Sequence, residues 1–176
     1  MKTISEKYLT EQKRLHELYN YGTASISHAP NIIEILKNNN LKSICDYGAG
    51  KMNLKKAMHE KGYKNFEYFP YDPVFPEYGK PSMSELVCCI DVMEHIEEEF
   101  VENVLNEIRD ITINLAYFSI ATTPAKKILS DGRNVHITLK PERWWLIKLC
   151  SRFDIKVLQQ AKGGFIVICK KIEQYF

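Results

Sequence analysis

Residues 43–50 read Ser-Ile-Cys-Asp-Tyr-Gly-Ala-Gly, a short strand-forming run that stops at two glycines. The residues that follow, 52–61, carry apolar side chains at helical spacing, so the glycines mark a turn between a strand and a helix. Glycine tolerates the backbone angles of a tight turn and lets a ligand approach the main chain closely. The stretch therefore predicts a strand–turn–helix unit with a ligand at the turn.

The alternation of strand and helix continues along the chain. Three further strand patterns are present, at 65–71, 86–90 and 116–121. Two helix patterns separate or follow them, one opening at Glu97 and one at Pro141, and prolines exclude a long helix over 73–84. Strands that alternate with helices predict a three-layer, doubly wound α/β fold with a mainly parallel sheet and helices on both faces.

The two ends of the chain complete this fold. At the C-terminus, the runs 155–158 and 165–169 flank a glycine pair, which is typical of an antiparallel hairpin. At the N-terminus, amphipathic spacing predicts a helix over 6–19, and a second helix is expected to start at Pro30 and end at the asparagines 38–40. We expect one domain over 1–176, with a helical segment at 1–40 and an α/β core at 41–176.

Composition narrows the class of protein. The 176 residues suit one domain, and 24 Lys+Arg against 22 Asp+Glu give a net charge of +2, which disfavours a dedicated nucleic-acid binder. No apolar run approaches the roughly 18 residues of a membrane span, and no signal-peptide pattern opens the sequence. Five cysteines without C-x-x-C spacing predict neither a disulfide framework nor a cysteine zinc site. We expect a cytoplasmic protein.

Acidic residues end three of the predicted strands. Asp46 precedes the glycine turn, Asp91 follows the buried strand, and Asp72 lies 22 residues after Gly50, near the offset of an acid that binds a ribose. The dinucleotide pattern of three glycines fails, because its last place is Asn53. An acid beside the glycines suits a positively charged ligand better than a pyrophosphate, which points to S-adenosylmethionine (SAM).

These stretches, together with Cys89-Ile-Asp-Val-Met-Glu-His-Ile96, resemble the class I SAM-dependent methyltransferases over about residues 42–171. The resemblance implies that the first acid and the glycines line the methionine and adenosine, that the second acid binds the ribose, and that Pro73 lies near the adenine. It also implies cofactor contacts at the end of the buried strand. The implied cofactor-binding residues are Asp46, Gly48, Gly50, Asp72, Pro73, Ile90 and Asp91.

The sequence departs from this family at two places. Met52 stands where the family has its third glycine. Only 19 residues separate Asp72 from Asp91, too few for the family's usual helix and strand between them. We therefore expect an adenine pocket that is trimmed or rebuilt from the proline-rich loop 73–84.

A second pattern, acid-x-x-Glu-His with a later His, suggests a metal site. Asp91, Glu94, His95 and His136 are the candidate ligands for Mg²⁺ or Mn²⁺, since carboxylates and imidazoles suit these ions. The pattern resembles the ubiquinone-pathway O-methyltransferases and the small-RNA 3′-terminal 2′-O-methyltransferases, although Asp91 is shorter than their Glu. Glu-His-Ile also occurs in class I enzymes without a metal. His136 and His95 are the candidate catalytic bases for a hydroxyl.

The resulting hypothesis is a SAM-dependent O-methyltransferase for a small molecule or a nucleotide. RNA or DNA methylation is a second interpretation, and a non-catalytic SAM-binding or partner-activating subunit is a third. No membrane partner is expected, and the sequence does not indicate an oligomeric state. Tyr19 and Tyr21 are expected to close over the methionine end of SAM. The histidines outside the motif, His16, His28 and His59, are expected on solvated surfaces.

Overall fold

The computed structural model describes residues 2–18 and 21–172, and within them lies one six-stranded sheet with the order β2-β1-β3-β4-β6-β5. The strands are β1 (Ser43–Tyr47), β2 (Glu67–Tyr71), β3 (Ser84–Ile90), β4 (Thr112–Ala121), β5 (Phe153–Ala161) and β6 (Gly164–Lys171). Strands β1 to β4 pair in parallel, and β6 runs antiparallel to β4 and β5. The predicted mainly parallel sheet with a C-terminal hairpin is confirmed.

Helices cover both faces of this sheet, as the doubly wound pattern predicts. The described residues form α1 (Glu6–His16), α2 (Ser25–Asn38), α3 (Asn53–Glu60), α4 (Val101–Ile111) and α5 (Glu142–Cys150). Helices α2 and α3 pack with Leu86 and Cys88 of β3, while α4 and α5 pack with Val87 and Cys89 of the same strand. Each fully buried aliphatic side chain contributes about 1.5–3 kcal/mol, so β3 anchors both layers.

The predicted start of α2 at Pro30 is wrong. The helix begins at Ser25, and Pro30 lies inside it. Proline has no N–H, so the carbonyl of Ile26, four residues earlier, lacks its usual helical donor. Both residues are exposed, which leaves that carbonyl to water, while Ile32 and Leu36 are fully buried and hold the helix against the sheet.

Backbone pairing extends the strands β4, β5 and β6 beyond their apolar runs. Strand β4 begins at Thr112 rather than 116, because its first residues pair with β3, as in Ser84 opposite Thr112. The hairpin of β5 and β6 is also longer than predicted, and it depends on Gly164. A Cβ atom there would lie 2.2 Å from the carbonyl oxygen of Ile120, so only glycine fits between the strands.

The connection from β2 to β3 contains no α-helix, which confirms the prediction for 73–84. It forms one 3₁₀ turn, Pro76–Tyr78, after which the chain enters β3. Phe75 and Tyr78 stack with ring centroids 5.3 Å apart, and the Tyr78 hydroxyl donates to the Gly50 carbonyl at 2.9 Å. The shortened connection is therefore fastened onto the glycine turn.

Helix α1 lies apart from both layers and packs against the loop 122–140. Tyr8 and Leu15 are buried there with Leu129 and Val135. The backbone N–H and hydroxyl of Ser5, the N-cap residue, donate to the two carboxylate oxygens of Glu97 at 2.7 and 2.6 Å. This anchoring sets α1 against the loop that follows β4. None of the helices in the described ranges is both long enough and apolar enough to cross a membrane.

Candidate active site

A hollow of about 950 Å³, counted together with its open mouth, lies at the carboxyl ends of β1, β2 and β3. All seven residues predicted to contact the cofactor line this hollow: Asp46, Gly48, Gly50, Asp72, Pro73, Ile90 and Asp91. Their roles remain predictions, but the fold brings them to one place.

The glycine turn is shaped by contacts with β2 and with the segment after β3. The N–H groups of Gly48 and Ala49 both donate to the Tyr71 carbonyl, at 2.7 and 2.9 Å. Gly48 has φ +84°, and a Cβ atom there would lie 2.4 Å from a methyl carbon of Val92. Met52, at the family's third glycine position, has φ 55°. This residue therefore adopts the left-handed conformation that glycine favours, at a cost of about 1–2 kcal/mol because methionine has a Cβ atom.

Asp46 is buried below the turn, with 3% of its surface exposed. Its carboxylate accepts a hydrogen bond from the Tyr68 hydroxyl of β2. Burial raises the pKa of Asp46 to about 7, the hydrogen bond from Tyr68 lowers it, and the charge of Asp72 raises it further. A carboxyl with this pKa changes its charge near neutral pH.

Asp72 connects the turn to the loop that follows β2. Its Oδ2 accepts the Gly50 N–H at 2.9 Å, and its Oδ1 accepts the Val74 N–H at 2.9 Å. Each carboxylate oxygen has two lone pairs, so each keeps one for a ligand. The side chain is 6% exposed, and burial raises its pKa. These contacts fix the direction of a carboxylate that can accept two ligand hydroxyls.

The candidate metal ligands come together in part. Ligand atoms of Asp91, Glu94 and His136 all lie within 4.8 Å of one another. Asp91 has φ 57°, a strained backbone conformation for a residue other than glycine. This conformation sets the direction of its carboxylate. Glu94 is fully buried, its Oε1 accepts the Ala121 N–H at 2.8 Å, and its Oε2 has no hydrogen-bond partner in the part of the chain that the structure describes. Burial, followed by the nearby charge of Asp91, raises the pKa of Glu94.

His95 lies beside this group but does not share its ligand distances. The sequence hypothesis assumed a helical turn that would aim Asp91, Glu94 and His95 to one side, whereas the segment forms a 3₁₀ turn, Met93–His95. The Nδ1 of His95 lies 2.9 Å from the Val135 carbonyl, and its ring centroid is 4.8 Å from that of His136. Burial lowers the pKa of His95 to about 4, so the ring stays neutral.

Both candidate bases have one nitrogen occupied by a carbonyl oxygen. The Nδ1 of His136 lies 2.7 Å from the Thr123 carbonyl, as the Nδ1 of His95 lies near that of Val135. Carbonyl oxygens only accept hydrogen bonds, so both rings carry their hydrogen on Nδ1 when neutral. The Nε2 of each ring then has a free lone pair for a proton or a metal ion.

Helix α1 and Tyr21, which follows it, contribute a wall of the hollow. Tyr21 was expected near the methionine end of SAM, which stays a prediction, whereas the residues from α1 were missed by the sequence reasoning. Tyr8, Gln12, His16 and Tyr21 line the hollow, and the Gln12 amide joins the two tyrosines: it donates to the Tyr8 hydroxyl at 2.6 Å and accepts from the Tyr21 hydroxyl at 3.0 Å. A buried glutamine on an otherwise apolar helix face is the signal that could have revealed this wall. Tyr19 lies outside the described residues.

The predicted solvation of the other histidines is wrong for two of them. His16 lines the hollow, and its Nδ1 is buried without a hydrogen-bond partner within residues 2–18 and 21–172. His28 is half-buried, with its Nδ1 2.7 Å from the Tyr117 hydroxyl. His59 is partly exposed and packs edge-on against Phe66. Tertiary contacts of their helices, which leave little local signal, account for these differences.

Carboxylates dominate the charge of the hollow. Asp46, Asp72 and Asp91 line it, and no lysine or arginine of the described residues does. In the neighbouring loop, Arg133 pairs with Asp131 at 2.8 Å and Lys140 pairs with Glu98 at 2.9 Å. Lys127 of the same loop places its Nζ 5.1 Å from the ring centroid of Tyr21, which lines the hollow. The carboxylates of the hollow thus fit a ligand that has positive charge and hydroxyl groups to donate, as SAM has.

No protein-family model and no curated protein matches the sequence. Solved structures do match, including a 1,6-didemethyltoxoflavin-N1-methyltransferase from Burkholderia thailandensis with bound S-adenosylhomocysteine (SAH). Its TM-score is 0.66 at 12% identity, over 98% of this chain and 92% of that chain. The mitomycin 7-O-methyltransferase MmcR gives 0.65 at 14%, over 94% and 60% of the two chains.

A third solved structure is the magnesium protoporphyrin IX methyltransferase from Synechocystis PCC 6803, with bound SAH. Its TM-score is 0.55 at 14% identity, over 95% of both chains. At these identities the likeness concerns the fold. The fold of this chain is therefore that of the class I SAM-dependent methyltransferases, as its strand-end motifs predicted.

Proposed function

We propose that this chain binds SAM and transfers its methyl group to a hydroxyl oxygen of a small molecule. The observation that carries the proposal is the hollow at the carboxyl ends of β1 to β3. It combines a glycine turn, two buried aspartates and a third aspartate after β3, without a lysine or arginine among its described lining residues. The methyltransferase fold supports the same conclusion.

The charge of the hollow favours SAM over phosphorylated cofactors. Phosphate-binding sites supply backbone N–H groups, lysine or arginine. Here the N–H groups of Gly48, Ala49 and Gly50 are all hydrogen-bonded within the protein, to the Tyr71 carbonyl and to Asp72. A sulfonium and an ammonium, by contrast, gain from nearby carboxylates.

Methyl transfer requires that the acceptor hydroxyl is positioned against the methyl group and that the hydroxyl loses one proton. SAM supplies an activated methyl group, which the acceptor oxygen attacks in line while the carbon–sulfur bond breaks and its electron pair stays on sulfur. The chain's task is to hold the acceptor hydroxyl at this line and take its proton. The Nε2 of His136 is suited to that role, because the Thr123 carbonyl holds the hydrogen on Nδ1.

The acidic group beside His136 fits a divalent cation. Asp91, Glu94 and His136 offer two carboxylates and an imidazole within 4.8 Å, and the unpartnered Oε2 of Glu94 is buried at this place. When bound, Mg²⁺ or Mn²⁺ would lower the pKa of the acceptor hydroxyl. Glu94 would then lose the proton that its burial favours. We propose these three residues as the ligands. Because the ion would take the Nε2 lone pair of His136, the Nε2 of the neighbouring His95 would then be the group that takes the proton.

The same charges favour an uncharged acceptor over a nucleotide or a nucleic acid. A phosphate in the hollow would face three aspartates and no lysine or arginine of the described chain. The acceptor that these features fit best is a small, unphosphorylated molecule with a hydroxyl group.

The proposal is tested by methyl transfer from methyl-labelled SAM to a panel of hydroxylated small molecules, with Mn²⁺ or with EDTA. We expect labelled product from an unphosphorylated acceptor, with a rate at least about 100-fold lower in His136→Ala. The control His59→Ala, on α3 and away from the hollow, should leave the rate unchanged. Binding of SAM without transfer to any acceptor would instead support a non-catalytic subunit, and transfer only to phosphorylated acceptors would contradict the proposed class.

A further inference from the structure

We infer that His16 of helix α1 is a cofactor-binding residue, whose imidazole donates a hydrogen bond to a ribose hydroxyl that Asp72 also holds. The inference rests on the proposed function, since it assumes an adenosyl ligand in the hollow. It adds to the strand-end residues a contact from the N-terminal helix, which no sequence motif marks.

His16 is placed directly over the glycine turn. The position that a Cβ atom of residue 50 would take is 3.2 Å from Cε1 and 3.7 Å from Nδ1 of His16. The Gly50 N–H donates to Asp72, so the imidazole and the carboxylate meet at the same residue. Edge-on packing against Tyr21 and Phe75, with centroids 4.9 and 5.3 Å away, fixes the plane of the ring.

The hydrogen bonding of His16 is incomplete within the chain. Its Nδ1 is buried and has no partner among the described residues. A buried polar atom without a partner destabilises a folded protein, and an apolar ring could pack against Tyr21 and Phe75 without that penalty. The unpartnered nitrogen at the wall of a hollow therefore points to a hydrogen bond with a ligand.

The chemistry of Asp72 indicates which ligand group this is. Both carboxylate oxygens already accept a backbone N–H and keep lone pairs, so they can only accept from a ligand. A ribose hydroxyl that donates to Asp72 has an oxygen that still accepts, and an imidazole N–H is the matching donor. Burial lowers the pKa of His16, so the ring is neutral at pH 7 and has one N–H to give.

The test compares ligands with and without single ribose hydroxyls. The affinities of SAH, adenosine, 2′-deoxyadenosine and 3′-deoxyadenosine are measured by calorimetry, directly or by displacement of SAH, for the wild type, His16→Ala and His16→Phe. The Phe variant keeps the ring packing against Tyr21 and Phe75. His59→Ala serves as the matched control, because that histidine lies on α3 outside the hollow.

We expect both His16 variants to bind SAH and adenosine about three- to tenfold more weakly than the wild type. One deoxyadenosine should bind the wild type more weakly than adenosine does, and this difference should shrink by a similar factor in both variants. A purely structural role of His16 would weaken all the nucleosides equally. The control should bind every ligand as the wild type does.

Two results separate the failure of this inference from the failure of the proposed function. If the wild type does not bind SAH, the proposed cofactor is wrong and the inference fails with it. If the wild type binds SAH, the inference alone is overturned by any of three findings. In the first, adenosine fails to displace SAH. In the second, the wild type binds both deoxyadenosines as tightly as adenosine. In the third, the His16 variants prefer adenosine over the deoxyadenosines as strongly as the wild type does.

Discussion

The charge of Asp46 should control the affinity for SAM between pH 6 and pH 8. The carboxyl is 3% exposed, and burial raises its pKa to about 7, against a smaller opposing effect of the Tyr68 hydrogen bond. A carboxyl with this pKa is about 10% ionised at pH 6 and about 90% ionised at pH 8. If only the carboxylate attracts the positive groups of SAM, the affinity should rise roughly tenfold, or ~1.4 kcal/mol, over this range.

The assay is calorimetric titration of SAM at pH 6, 7 and 8 with the wild type and with Asp46→Asn. The asparagine variant should bind SAM with one affinity at all three values, below that of the wild type at pH 6, where about 10% of the carboxyl is still ionised. Burial lowers the pKa of His95 to about 4, so that ring stays neutral over this range, and burial also lowers the pKa of His16. Both histidines are present in Asp46→Asn, so a pH dependence that comes from them would persist in the variant. The reasoning is refuted if the wild-type affinity is flat, or if Asp46→Asn shows the same rise.

The same pKa shift has a consequence for stability without ligand. Because the folded pKa of Asp46 lies above the unfolded value of 3.8, the folded state holds the proton more tightly. The stabilisation of the folded state by this bound proton is complete below about pH 4 and is lost as the pH rises through about 7. The total loss in the free energy of unfolding is on the order of 4 kcal/mol. Asp46→Asn should therefore gain stability relative to the wild type between pH 5 and pH 8, as measured by urea unfolding.

Three further changes test the surroundings of the hollow. Tyr68→Phe removes a hydrogen bond that favours the ionised form of Asp46, so the midpoint of the pH dependence of SAM binding should move to higher pH. An unchanged midpoint would show that Tyr68 does not influence the ionisation of Asp46. Gly164→Ala should lower the free energy of unfolding by about 3 kcal/mol, because the new Cβ would press on the backbone of β4. In the control Gly62→Ala the new Cβ meets open space, and the loss should be about 1 kcal/mol. Equal losses would contradict the packing argument. Ser5→Ala removes the side-chain N-cap of α1 and the hydroxyl bond to Glu97, while the backbone N–H of residue 5 can still donate to Glu97. Amide exchange should therefore quicken in α1 and stay unchanged in β3. Uniform exchange would show that α1 is anchored otherwise.

The parts of the site that the sequence predicted are those with a local signal. Gly48 and Gly50 interrupt a strand pattern, and an aspartate follows or ends each of the first three strands. Parallel strands bring their carboxyl ends to one edge, so the order of the elements along the chain was enough to place these residues together. The placement of Asp46, Asp72 and Asp91 in one hollow follows from this rule.

The parts that the sequence did not predict depend on contacts between distant segments. His16 looked solvated because nothing in α1 shows that Tyr8 and Leu15 pack against the loop after β4. His95 was expected to converge with Glu94, but a carbonyl of that same loop holds its Nδ1. The start of α2 was misplaced for a different reason: burial of its later turns outweighs the missing hydrogen bond at Pro30.

The most direct measurement is a crystal structure of the chain grown with saturating SAH. The account predicts the adenosyl group in the hollow at the ends of β1 to β3, with its ribose hydroxyls on the carboxylate of Asp72 and its methionine amino group towards Asp46. Density for SAH at another surface, or none in this hollow at saturation, would contradict it.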